Sequence, residues 1–195
     1  MFEDSVISNC VTRAISLSSG ANKKANVNFR NASVYDSGDG TLSIISTSDW
    51  SGSWIGGNIK RNNGAGVMNL DCDGAFKLSG VTFDENGNLT PSYSELTVFD
   101  ANGLTIEACT FDATDVTKGR TAAITFAASV MSGFNLLSNK INGTANDSAG
   151  FWGILCTGGP TNGFIAGNDV IVQGGQTAYQ VDTVNNALFV NGVQQ

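Results

Sequence analysis

The chain has no histidine, and that absence closes several chemical routes at once. Without an imidazole, no serine or cysteine has its usual activating base, and no G-x-S-x-G turn offers a nucleophile. A zinc site loses its commonest nitrogen ligand. Charge is scarce too: only 14% of residues are charged, Lys and Arg total 10, and the net charge is −7. The only adjacent basic pairs are Lys23-Lys24 and Lys60-Arg61. A nucleic-acid binder clusters its cations to displace counterions, so neither nucleic acid nor an anionic membrane is expected as a partner. No apolar run approaches the roughly 20 residues that span a bilayer. Met1-Phe2-Glu3-Asp4 is acidic and no apolar stretch follows it, which argues against a secretory signal peptide. Proline occurs twice, at Pro91 and Pro160. Cys10, Cys72, Cys109 and Cys156 form no C-x-x-C pair; three pairings are formally open to them, and the expectation is free buried thiols made in a reducing cytoplasm. Gly56-Gly57 and Gly158-Gly159 lack the Lys-Ser/Thr of a phosphate loop. No cofactor is expected.

Glycine (24 residues), asparagine, serine and threonine are plentiful, and 41% of the 195 residues are hydrophobic. That balance suits many short strands joined by tight turns. A repeat runs through it. Leu136-Leu137-Ser138-Asn139-Lys140-Ile141 reads apolar, two variable positions, Asn, one free position, apolar. The pattern returns at Ile165 to Val170 and Leu188 to Val193, with looser copies starting at Phe29, Ile55, Leu78 and Ile106. The steps between first positions are 26, 23, 28, 30, 29 and 23 residues, the length of one unit in a stacked architecture. Each unit splits into three short apolar pieces with turns between, as in Leu96 to Phe99, Leu104 to Ile106 and Cys109 to Phe111. Strands this short bury nothing alone. Stacked on copies one period away, they form parallel ladders about 4.8 Å apart, giving three sheets around a thin core. The extra residues at Glu85 to Ser94 and Gly143 to Ala149 fall in turns, where added length costs little. Upstream of this, Val6, Ile7, Cys10, Val11, Ala14 and Ile15 recur at helical spacing after Asp4 and before Gly20. They predict an N-terminal cap or attachment segment over 1–25, as a helix covering the open end of the stack, with an irregular first coil as the alternative. The solenoid is expected over 26–195.

The Asn between the second and third pieces has a physical reason: it tolerates a left-handed backbone, and its amide can satisfy buried groups one coil away. With that Asn and the three-piece unit, residues 25 to 193 resemble the right-handed parallel β-helix of the pectin-lyase-like proteins, which include many bacteriophage tailspikes. The resemblance implies an all-β solenoid of about seven coils and three short sheets. It also implies an internal ladder of stacked amides at Asn58, Asn139, Asn168 and Asn191, while Ala32, Val81 and Cys109 depart from the pattern.

Many proteins of that fold cut polysaccharides, and two carboxylate pairs are candidates for such chemistry. Asp71 and Asp73 flank Cys72. If Met68 and Leu70 point inward, the two acids face outward about 6.5–7 Å apart, a spacing suited to an inverting glycosidase. Asp84 and Asp112 each follow the Phe of their repeat and would stack about 4.8 Å apart, titrating as a coupled pair. Equivalent positions hold Asn142, Ile171 and Gln194, so the pair is also explained as a strand exit. A lyase would want Arg or Lys beside its base and often Ca²⁺; Arg13, Arg30, Arg61 and Arg120 are dispersed, and Asp36 to Gly40 reads as a polar turn. No metal site is expected. Trp50, Trp54 and Trp152 are candidates for an interface or a sugar platform, or else close the core at its corners.

Two functions compete. One is a non-catalytic virion protein, a capsid decoration or cement protein with a trimeric β-helix, assembled in the bacterial host cytoplasm and seated on the major capsid protein or another virion protein. The other is a tailspike or similar protein that binds or degrades cell-surface polysaccharide as a glycosidase or lyase. Few coils, short insertions and a chain running from Met1 to just past the last repeat favour the small decoration protein.

Overall fold

The computed structural model describes residues 1–18, 25–38, 42–45, 50–62, 68–72, 74–86, 94–101, 103–112, 122–127, 132–144, 150–156, 162–181, 187–190 and 193–194. Among them every regular element is a strand, and the strands form a parallel β-solenoid. The chain visits three sheets in turn and then repeats the circuit one coil further on. The first sheet stacks Phe2–Glu3, Ala25–Arg30, Trp50–Ile55, Phe76–Ser79, Thr105–Glu107, Ser132–Leu137, Asn162–Ala166 and Ala187–Val190. The second stacks Val6–Ser8, Ser33–Tyr35, Asn58–Lys60, Thr82–Asp84, Thr110–Asp112, Lys140–Asn142 and Asp169–Ile171. The third stacks Ile15–Ser18, Leu42–Ile45, Met68–Cys72, Ser94–Ala101, Ala122–Phe126, Trp152–Cys156 and Thr177–Val181. All of these pairings are parallel. One final strand, Val193–Gln194, folds back antiparallel on Ala187–Val190.

Among the described residues of the 1–25 segment there is no helix. Three of the strands above come from this segment, and their inward residues sit in register on the coil below, Phe2 on Phe29, Ile7 on Val34 and Ile15 on Leu42. The near-helical spacing of Val6, Ile7, Cys10 and Val11 arises because strands of two to four residues alternate with bends. A ladder partner waits for each strand in the next coil, so pairing outweighs local periodicity.

Inward side chains make continuous columns. On the first sheet Phe29, Trp54, Leu78, Ile106, Leu136 and Ile165 are all buried, and on the second Val34, Ile59, Phe83, Phe111 and Ile141 are. The third contributes Met68, Leu96, Ile124 and Ile154, with Leu70, Val98, Phe126 and Cys156 alongside. Rings stack along the axis: Phe83 on Phe111 at 4.7 Å, and Phe29 on Trp54 at 4.3 Å. Two repeat positions are displaced from their sequence reading. Trp54 rather than Ile55 aligns with Phe29, and Val190 rather than Leu188 aligns with Ile165.

The first and second sheets are joined by two-residue bends that share one feature. The first residue of each is left-handed: Asp4, Asn31, Gly56, Gly80, Ala108, Ser138 and Gly167 all have φ between 46 and 68°. The second residue, at 57, 81, 109, 139 and 168, enters the second sheet and faces the interior or its margin. The asparagines of the bend therefore stand one position after the left-handed residue, and what they contribute is the amide.

Candidate functional site

The amides build two ladders. In the first, Asn139 Oδ1 accepts the Cys109 N–H at 3.0 Å, and Asn139 Nδ2 donates to the Ile106 carbonyl at 3.0 Å. Asn168 Oδ1 accepts both the backbone and the amide N–H of Asn139 at 2.9 Å, and Asn168 Nδ2 donates to Leu136 O at 3.0 Å. Asn58 is not part of it. It lies exposed one position past the bend, in register with Thr82, and the ladder position of its coil is held by Gly57. The slip from Trp54 to Ile55 put Asn58 in the pattern. Asn191 lies outside the described residues.

The second ladder stands at the exit of the second sheet and was not anticipated. Asn62 Oδ1 accepts the Ser37 N–H at 3.0 Å, and Asn62 Nδ2 donates to Val34 O at 3.0 Å. Asn86 Oδ1 takes the Asn62 N–H at 2.9 Å, while its own amide donates to Ile59 O at 2.8 Å and to the carboxylate of the fully buried Glu95 at 3.0 Å. The residue before each Asn, Arg61 or Glu85, is again left-handed. The sequence carried a signal: Arg61-Asn62 and Glu85-Asn86 follow the third apolar piece of consecutive units, as Ser138-Asn139 follows the second.

Outside these ladders runs a charged column. Lys60, Asp84, Asp112 and Asn142 succeed one another in register on the second sheet. Lys60 Nζ lies 2.7 Å from Asp84 Oδ2 and 3.4 Å from Glu85 Oε2. Arg61 forks onto Asp36, donating from Nε at 2.7 Å and Nη2 at 3.0 Å. That guanidinium, through its hydrogen bonds, holds the Asp36 carboxyl below its ordinary range, and the bond to Asp84 raises the Lys60 ammonium above its own. On the first sheet Lys77 Nζ sits 2.8 Å from Glu107 Oε1. Lys77, and after it Ser79, lowers the Glu107 carboxyl. These pairs are partly exposed, so solvent screens them and they are weak contributors to stability.

Asp84 and Asp112 do occupy adjacent coils in register, but each has a neighbour: Lys60 holds the first, and Asn142 Nδ2 donates to the second at 3.4 Å. The backbone of Asp71 lies in Met68–Cys72, with Met68 and Leu70 pointing inward; Asp73 lies outside the described residues. Asp36, which opens the stretch Asp36 to Gly40, is taken by Arg61. Among the described residues no group of three or more His, Cys, Asp or Glu side chains is placed to hold a metal ion.

The tryptophans separate. Trp54 is fully buried, stacked on Phe29, with Nε1 donating to Ala32 O at 3.3 Å; nothing of it is left for an interface. Trp152 is partly buried in the third sheet, in register with Ala122 and Thr177. Trp50 begins a first-sheet strand beside Ala25, and its side chain lies outside the described residues. Cys10, Cys109 and Cys156 are free thiols, and burial pushes Cys109 up to about 11. No protein-family model, curated protein or solved structure matches this chain.

Proposed function

We propose that the protein is a non-catalytic structural component of a bacteriophage virion, a capsid decoration or cement protein whose β-solenoids assemble as a trimer. Assembly takes place in the bacterial host cytoplasm, and the major capsid protein or another virion protein is the partner. The observation that carries the non-catalytic part is how the outward acids are used. Asp36, Asp84 and Glu107 are each engaged by a cation from a neighbouring coil, and Asp112 by an amide. A glycosidase acid is instead kept free to exchange its proton. The virion assignment rests on the resemblance of the repeat to the β-helices of phage appendages.

The test has two arms. The protein should co-purify with intact particles, and it should release neither reducing ends nor unsaturated products from a panel of host polysaccharides. Sugar release abolished by Asp71→Ala, Asp73→Ala or Asp84→Ala would instead establish a polysaccharide-degrading spike.

A further inference from the structure

We draw no further inference here: the strongest candidate, the outer face of the first sheet, which carries the exposed Ile55 and Phe164 together with the hydrogen-bonded side chains of Asn26, Asn28, Ser51 and Ser53, supports no proposal because nothing in the structure shows what covers it.

Discussion

Asn139 and Asn62 each satisfy an N–H and a carbonyl of the neighbouring coil that the bends would otherwise leave unpaired. A buried N–H or C=O without a partner costs about 1–3 kcal/mol, and Asn139 serves the Cys109 N–H and the Ile106 carbonyl together. Asn139→Ala should therefore lower stability by roughly 2–4 kcal/mol in chemical denaturation, and Asn62→Ala by a similar amount. Asn58→Ala, at an exposed position, should stay within about 0.5 kcal/mol of the parent. An equal loss at all three would refute the ladder as the stabilising unit. Cys109 supplies a second test at this scale. Its thiol is buried and raised to about 11 against an ordinary 9.0. Below pH 9 the folded and unfolded thiols are both protonated, and the group adds no pH dependence. Between pH 9 and 11 the unfolded thiol ionises while the folded one keeps its proton. The native state then binds more protons, so stability falls as pH rises, by roughly 2–3 kcal/mol over the window. Urea midpoints measured from pH 8 upward should show this decline, and Cys109→Ala should flatten it.

Elements here are too short to specify themselves, and the bends supply the regularity. Seven successive bends place a left-handed residue first, and three of those residues are glycines. Ala108 (φ 50°) is not, and it bears the steric cost of its Cβ. Ala108→Gly should raise the denaturation midpoint by the equivalent of about 0.5–1 kcal/mol. The reverse applies at Gly57, where φ is 94° and an added Cβ would stand 1.9 Å from Ala32 O. Gly57→Ala should destabilise by more than about 2 kcal/mol, through backbone strain plus a clash with main chain that cannot move aside. The same glycines explain where the repeat was misread. In Trp54-Ile55-Gly56-Gly57-Asn58 the pattern of apolar residue, spacer and Asn can be laid down in two phases. An aliphatic residue looked like the core position, yet the indole fills it by stacking on Phe29.

For the molecule as a whole, the period of about 23 to 30 residues and the three apolar pieces per unit were enough to specify stacking and three sheets. They were enough because a column of like residues is a property of composition repeated along the chain. The inward positions of Leu78, Ile106, Leu136 and Ile165, and the amides of Asn139 and Asn168, were legible for the same reason. Three things were settled only when coils met. Residues 1–18 became strands because the next coil offers each a partner, whatever their local spacing suggests. The second ladder appeared because Asn62 and Asn86, which look like loop residues, are carried inward by left-handed neighbours, where Asn86 bonds both to Asn62 and to Glu95 of the third sheet. The outward aspartates found their use in cations 24 or 25 positions away, as Asp84 does in Lys60 and Asp36 in Arg61. Periodicity along one chain determines what is stacked; which side chains touch across a coil depends on register, and a shift of one residue exchanges inside for outside.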